Sequence, residues 1–177
     1  MSISKITENL KGFEKKFPPV EKWNPDLCIG HEFFINREGE WFYDGSSIKN
    51  TKLVNLFSSV LKREGEIYYL VTPIEKILVR VELAPYKIID FEEIDGDIKL
   101  ISNLNYDFFL DKNHRTRLVD FDKSKIPLVN VRSNIEGFIN RNTYYKLVDL
   151  ALSKDYKLED ELYIKSFSIN HVIGKIA

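Results

Sequence analysis

The sequence predicts an α+β protein of two similar lobes, each a curled antiparallel sheet packed with a helix, plus an N-terminal amphipathic helix. The first observation is a repeated segment: residues 52–56 read KLVNL and residues 146–150 read KLVDL, an offset of 146 − 52 = 94. The same offset carries Tyr69 onto Tyr163 without a gap. The second observation is that helical spacing of apolar residues gives way to a strand-like run in each half. A helix and a strand that recur together at one long offset indicate a structural duplication.

The predicted organisation is a helix over residues 1–17, a first lobe over residues 18–100 and a second lobe over residues 101–177. The N-terminal helix is expected because apolar residues recur there at every third or fourth position, and Pro18-Pro19 would end it. This apolar stripe consists of Ile3, Ile6, Leu10, Phe13 and Phe17. We expect the stripe to pack onto its own domain, because such stripes usually face a core.

The first lobe is expected to begin with a loop and a hairpin. Residues 20–30 have loop composition, with Trp23 as the anchor. Residues 32–36 and 40–43 flank an Arg-Glu-Gly sequence that suits the connection of a β-hairpin.

A central amphipathic helix follows. Asn50 or Thr51 offers a side-chain oxygen that can cap its first free amides. Lys62 and Arg63 are predicted to lie in its last turn, and Gly65 to end it in the left-handed conformation. The apolar face of this helix consists of Leu53, Val54, Phe57, Val60 and Leu61.

Two strands are predicted after this helix. The aromatic and β-branched residues 68–71 suit a buried strand. Pro73 lacks an amide hydrogen, so the strand should end near it. Residues 77–83 alternate with period two, which predicts a strand with one face in the core.

Two hairpins are predicted next. Residues 86–94 should pair with residues 97–103 through Asp95-Gly96, because this dipeptide tolerates the positive φ angles of a type I′ turn. Residues 106–110 and 116–121 are predicted to form a second hairpin.

Four segments of the chain carry a resemblance to a known family. They are PPVEKWNPDLC at 18–28, GEWFYDGSSI at 39–48, LFSSVLKREGEIYYLVTPIEK at 56–76 and VRSNIEGFINRNTYYKLVDLA at 131–151. Through them the chain resembles the bacterial domain-of-unknown-function family 1285. The resemblance implies an α+β fold of two similar halves and a role in ligand sensing or signal transduction, and it implies no known catalytic residues. Lys165-Ser166-Phe167-Ser168 stands where the family has a glycine-rich turn.

Composition limits the classes of partner. The 177 residues include 26 Lys and Arg against 27 Asp and Glu, for a net charge of -1, so the overall field does not favour nucleic acid. Cys28 is the single cysteine, so no intrachain disulfide can form and a reducing compartment fits. No apolar run approaches the roughly 20 residues of a membrane span. We expect a soluble cytoplasmic protein that binds neither nucleic acid nor membrane.

The sequence assembles no catalytic, metal or cofactor motif. Its glycines never form G-x-G or a phosphate-binding loop. Cys28 and His31 form one C-x-x-H, too few ligands for zinc. Ser58 and Ser59 should bond back to the preceding helical turn rather than act as nucleophiles. No catalytic residue, metal or cofactor is therefore expected.

The aromatic residues are more suggestive of binding. Trp41 and Tyr43 alternate onto one face of their strand, which is either core or a platform for a planar ligand. We expect a non-catalytic ligand-sensing or interaction module that binds an unidentified small molecule or protein, with a role in signal transduction. The expected site is a cleft between the lobes, lined by Trp41, Tyr43, Arg63, Tyr69, Thr72, Glu75 and Arg132.

Two alternatives stay open. One is an enzyme that uses Glu75 or Glu64 with a tyrosine in the same cleft, which would require carboxylates with perturbed pKa values. The other is a homo-oligomeric scaffold that uses exposed aromatic residues. The sequence leaves the oligomeric state open.

Overall fold

The chain folds into two compact units, residues 1–83 and residues 84–177. The structure is a computed structural model that describes residues 2–13 and 17–176. Each unit contains helix and a six-stranded sheet. The two-unit α+β organisation predicted from the sequence is therefore confirmed. Within the described residues, no helix is both long enough and apolar enough to cross a membrane.

The helices and the strands of the first unit have the following bounds. The α-helices of the chain are Ile3–Asn9 (α1), Thr51–Ser59 (α2) and Arg141–Ser153 (α3), and Val20–Lys22 forms a short 3-10 helix. The first six strands are Leu27–Ile35 (β1), Trp41–Tyr43 (β2), Ser46–Ser47 (β3), Leu61–Glu64 (β4), Ile67–Val71 (β5) and Lys76–Val81 (β6). They form one sheet in the order β3-β2-β1-β6-β5-β4, in which β1 and β6 are parallel and the other neighbours antiparallel.

The second unit contains two sheets. Its strands are Tyr86–Ile94 (β7), Asp97–Ser102 (β8), Asp107–Phe109 (β9), Thr116–Phe121 (β10), Ser124–Arg132 (β11), Ile135–Ile139 (β12), Lys157–Leu158 (β13), Glu161–Ser166 (β14) and Ile169–Lys175 (β15). The six-stranded sheet has the order β10-β11-β12-β7-β8-β9, and β13-β14-β15 form a separate three-stranded sheet. The pair β7 and β12 is parallel. The prediction of purely antiparallel sheets is thus wrong for one ladder in each six-stranded sheet.

The offset of 94 residues relates elements as well as sequence. Helices α2 and α3 end at Ser59 and Ser153, and 153 − 94 = 59. Strand β14 begins at Glu161, which falls on Ile67 at the start of β5. Strand β15 likewise overlaps β6 after the same subtraction.

The N-terminal helix is shorter than predicted. Helix α1 ends at Asn9, and Gly12 has a φ of 94°, a conformation that an α-helix does not contain. Ile6 and Leu10 are buried as the apolar stripe predicted, whereas Phe17 is exposed. The part of the predicted helix at residues 14–16 lies outside the described residues.

The central helix also ends earlier than predicted. Its cap is confirmed, because Asn50 Oδ1 accepts from the Lys52 amide at 3.0 Å. The helix stops at Ser59, and Leu61 instead opens β4, where it pairs with Leu70. Gly65, with a φ of 61°, lies in the hairpin turn between β4 and β5. The predicted helix extended to residue 63 because apolar residues continue there at helical spacing. Pairing of β4 with β5 in the sheet outweighs that local preference.

Two hairpin predictions are confirmed. The predicted hairpin at residues 32–43 forms between β1 and β2, although β1 begins at Leu27, inside the expected loop. The hairpin of β7 and β8 turns at Asp95 and Gly96, with φ angles of 53° and 87°.

The later part of the second unit was predicted wrongly. Strand β9 pairs with β8, and β10 pairs with β11 across a turn at Asp122 and Lys123. Because β8 belongs to the ladder with β7, the chain divides at Leu83 and Ala84 rather than at residue 100, which lies inside β8.

Candidate functional site

One end of the first sheet gathers several chain segments. Strand β5 ends at Val71 and β6 begins at Lys76, which lies opposite Leu27 at the start of the parallel strand β1. Strand β2 ends at Tyr43, opposite Phe33. The residues between β5 and β6 therefore lie at the same end of the sheet as the start of β1 and the end of β2.

A large bulge in β1 shapes this end. Between Leu27 and Glu32 strand β1 advances five residues, while its partner β6 advances two, from Lys76 to Leu78. Gly30 adopts a φ of 89°, and Ile29 is 89% exposed. Bulges of this kind re-aim side chains and often lie beside functional sites.

The turn between β5 and β6 is held by a buried threonine. The Thr72 amide donates to the Glu75 carbonyl at 2.8 Å. Thr72 Oγ1 accepts from the amides of Glu75 at 3.0 Å and Ile74 at 3.3 Å. Because these bonds close the turn on itself, they fix the backbone of Glu75.

The Glu75 side chain is enclosed. The residue is 5% exposed, and its Oε2 has no hydrogen-bond partner within residues 2–13 and 17–176. An acceptor in such a position costs free energy, and a buried carboxylate costs more than a neutral group. Glu75 therefore carries an unsatisfied hydrogen-bond acceptor at this end of the first sheet.

Tyr43 lies close to this carboxylate. Burial raises the pKa of Tyr43, and the neighbouring Asp44, Cys28 and Glu75 raise it further. The ring of His31 stacks beside that of Tyr43, with centroids 6.0 Å apart and planes 12° apart. Tyr43 therefore keeps its phenolic proton at neutral pH.

The His31 ring is oriented by an aspartate. Asp44 Oδ2 lies 2.7 Å from His31 Nδ1, and Asp44 Oδ1 accepts from the Glu32 amide at 2.9 Å. These bonds, that of His31 first, lower the pKa of Asp44. Both side chains remain partly exposed, whereas Tyr43 and Glu75 are buried. The Tyr43 cluster comprises Cys28, His31, Tyr43, Asp44, Thr72 and Glu75.

Three of the seven predicted site residues, Tyr43, Thr72 and Glu75, come together in this cluster. Trp41 lies on the same strand face as Tyr43, almost fully buried, with its ring edge-on to Phe33 at 6.2 Å. Trp41 thus belongs to the core that supports the cluster.

The other three predicted residues have different surroundings. The guanidinium of Arg63 lies 2.8 Å from Glu66. The Lys76 ammonium lies over the Tyr69 ring, 4.2 Å from the ring centroid, in a cation–π contact. In the second unit, Arg132 Nε donates to the Tyr86 hydroxyl at 3.2 Å. A cleft that joins all seven residues stays a prediction.

Structural bonds engage Glu64 and, as expected, Ser58 and Ser59. Glu64 accepts from Lys76 at 2.8 Å and lies 3.3 Å from Lys62, and these lysines, Lys76 first, lower its pKa. Ser58 and Ser59 donate to carbonyls of the preceding helical turn at 2.8 and 2.6 Å. These groups are engaged in structural bonds.

Sequence reasoning did not select His31 and Asp44 as site residues. Their meeting depends on the bulge in β1 and on the register with β2, neither of which is local in sequence. The usable signal was Gly30, because a glycine inside a strand pattern often marks a bulge.

His171 is a buried polar residue of the second unit. His171 is 1% exposed, and neither ring nitrogen has a hydrogen-bond partner within the described ranges. Burial, assisted by the positive charge of Arg115, lowers the pKa of His171 to about 4. His171 is therefore a neutral side chain of the core at neutral pH.

The chain is similar to known proteins over nearly all its length. Residues 18–84 match the family "Domain of unknown function (DUF1285), N-terminal domain", and residues 85–173 match "Protein of unknown function (DUF1285), C-terminal domain". A crystal structure of a DUF1285 family protein from Silicibacter pomeroyi DSS-3 shares 30% identity, covers 92% of this chain and 90% of that chain, and has a TM-score of 0.79. The chain belongs to the DUF1285 family.

A second DUF1285 structure, from Shewanella baltica OS155, shares 30% identity. It covers 66% of this chain and 90% of that chain, with a TM-score of 0.55. No curated protein matches the chain. The border between the two DUF1285 domains, at residues 84 and 85, lies next to the division between the two compact units.

Proposed function

We propose that this DUF1285 protein is a non-catalytic, cytoplasmic ligand-binding module, and that the Tyr43 cluster of its first unit holds the ligand. The observation that carries the proposal is Glu75 Oε2, an enclosed acceptor without a partner in the part of the chain that the structure describes. If the protein takes part in signalling, occupancy of this site would be the input.

The arrangement of the cluster supports binding. Thr72 fixes the turn that carries Glu75, so the acceptor is oriented before a ligand arrives. Tyr43 and Glu75 are the buried members of the proposed site, and His31 and Asp44 are its partly exposed members. A few oriented polar groups on an apolar, aromatic wall are typical of small-molecule sites.

The same geometry favours binding over catalysis. A carboxylate and tyrosine pair would need one member that gives up or takes a proton near neutral pH. The raised pKa of Tyr43 opposes loss of its proton, and Glu64 is engaged by two lysines. The scaffold alternative is separated by light scattering, since a strictly monomeric protein at high concentration excludes it.

The recurrence of helix and strands at an offset of 94 residues supports a second part of the proposal. We propose that the two units are copies of one sheet-plus-helix unit, in which each helix packs against the sheet of its own unit. The ligand site then belongs to one copy.

A thermal-shift screen across metabolite classes tests the proposed site. A ligand present at 100 times its Kd should raise the free energy of unfolding by about 2.7 kcal/mol. We expect hits that stabilise the wild type to lose their effect in Glu75→Gln and to weaken in Tyr43→Phe. The matched control is Glu21→Gln, which alters an exposed glutamate and should keep the full shift. Hits that stabilise Glu75→Gln as well as the wild type, or no hit at all, would overturn the proposal.

A further inference from the structure

The Tyr43 cluster also indicates the chemistry of its ligand. We infer that the ligand is an organic cation with an apolar body, a protonated amine or a guanidinium, whose N–H group donates to Glu75 Oε2. This inference rests on the proposed binding site and specifies what the site selects.

The local charge favours a cation. Burial is the main cause of the raised pKa of Tyr43, and Asp44 and Glu75 raise it further, which places both acidic side chains near the phenol. His31 bonds to Asp44 at 2.7 Å, where any positive charge on the ring is matched by that carboxylate. Asp44 is thus paired, whereas Glu75 Oε2 has no hydrogen-bond partner among the described residues, and a cationic ligand would supply one.

The nearest lysine in sequence does not compensate Glu75. Lys76 follows Glu75 directly, and adjacent residues of an extended strand face opposite sides of the sheet. The Lys76 ammonium lies 2.8 Å from Glu64 Oε2 and 4.2 Å from the centroid of the Tyr69 ring. The positive charge of Lys76 therefore interacts with Glu64 and Tyr69, on the opposite face of the sheet from Glu75.

A charged donor fits Glu75 better than a neutral one. Hydrogen bonds between ionised partners are shorter and roughly twice as strong as those between neutral groups. A hydroxyl would satisfy the geometry of Oε2 but would not compensate the charge of an ionised carboxylate. A carboxylate or phosphate would add repulsion. Glu75 therefore makes the proposed site selective for cationic ligands.

Exposed aliphatic side chains lie at this end of the first sheet. Leu27 and Ile29 belong to the start of β1, and Ile74 precedes Glu75. Leu27 pairs with Lys76 and so shares its face of the sheet rather than that of Glu75. The apolar body of the ligand would therefore lie over the end of the sheet while its charged end reaches Glu75.

Matched alkyl probes test this inference. Hexylamine, hexylguanidine, hexanol and hexanoate share one apolar chain and differ in the head group. Binding is measured by calorimetry at neutral pH and millimolar concentration, with wild type, Glu75→Gln and Glu21→Gln. We expect the two cations to bind the wild type at least about tenfold more tightly than hexanol, because a hydrogen bond to a charged group is lost in the alcohol. Hexanoate should not bind.

The variants separate this inference from the proposed site. Glu75→Gln should remove the preference for the cations, and Glu21→Gln should preserve it, with melting curves used to verify that both variants fold. Equal or tighter binding of hexanol or hexanoate, or no binding by either cation, would overturn the inference. If the metabolite screen still gives neutral or anionic ligands that depend on Glu75, the proposed site stands and only its selectivity for cations fails.

Discussion

The corresponding turns of the two units have the same framework but different contents. Thr72 closes the turn between β5 and β6, and Ser166 occupies the equivalent place before β15, since 166 − 94 = 72. Both hydroxyls are buried. Thr72 accepts from the amides of its own turn, whereas Ser166 accepts from the Ile98 amide of β8 at 3.0 Å.

The residues that follow these hydroxyls differ in chemistry. Glu75 corresponds to Ile169, because 169 − 94 = 75, so only the first turn presents an enclosed carboxylate. Ile77, which is fully buried, corresponds to His171. The repeated framework thus holds Glu75 at the end of the sheet in the first unit and His171 in the core of the second unit.

The largest expected effect concerns the pH dependence of the second unit. His171 has a pKa of about 4 in the folded protein and an ordinary value of 6.5. Because the unfolded chain binds the proton more readily, stability is lost as pH falls from about 6.5 towards 4, by about 3 kcal/mol. Urea unfolding at several pH values should show this loss in the wild type.

The variant His171→Ile restores the residue type found at the equivalent place in the first unit, and it should remove this component of the acid sensitivity. The nearby charges, Arg115 and Asp111, are common to both proteins, so the difference between the two curves isolates His171. Parallel curves would show that His171 takes up its proton without cost to the fold.

A smaller effect is expected from the two turn hydroxyls. Thr72→Val preserves shape but leaves the amides of Ile74 and Glu75 without their acceptor, which should cost about 2 kcal/mol. Ser166→Ala removes one bond and should cost about 1 kcal/mol. Chemical unfolding measures both.

Ligand binding distinguishes these two variants further. Only Thr72→Val should weaken binding, because only Thr72 positions Glu75. Equal loss of affinity in Ser166→Ala would contradict the assignment of the site to the first unit.

The smallest expected effect compares the helix caps. Asn50 caps α2, and Asn140 Oδ1 accepts from the Thr143 amide of α3 at 2.8 Å. Asn→Ala at either position should cost about 1 kcal/mol, and Asn→Ser should cost only a few tenths because it retains a cap oxygen. Unfolding followed by circular dichroism tests this, and a cap whose removal has no effect would show that packing alone fixes that helix.

The sequence predicted what local chemistry decides. The dipeptide Asp95-Gly96 specifies its turn, and Asn50 specifies the start of α2, so both were predicted correctly. The end of α2 was missed because Leu61 continues the helical spacing but gains more by pairing with Leu70 in the sheet. The local sequence pattern carries no information about this competition between helix and sheet.

The residues of the candidate site also fall into those that the sequence could predict and those that it could not. Tyr43, Thr72 and Glu75 could be selected because alternation and the charged residues around Pro73 are visible in the sequence. His31 and Asp44 come together only through the bulge at Gly30 and the pairing of β1 with β2. Tyr69 was selected because one of two adjacent tyrosines in a strand faces away from the core, and Arg63 because it belongs to a charged pair beside that strand. The structure gives Tyr69 a cation–π partner and Arg63 an ion-pair partner.

The most direct test of the account exchanges Glu75 for its counterpart in the second unit. If Glu75 Oε2, which has no partner among the described residues, is left unpaired so that a ligand can meet it, Glu75→Ile should raise the free energy of unfolding of the ligand-free protein by about 1 kcal/mol or more and abolish stabilisation by ligands. Loss of stability in the ligand-free variant would show that the fold already satisfies this carboxylate, and would contradict the account.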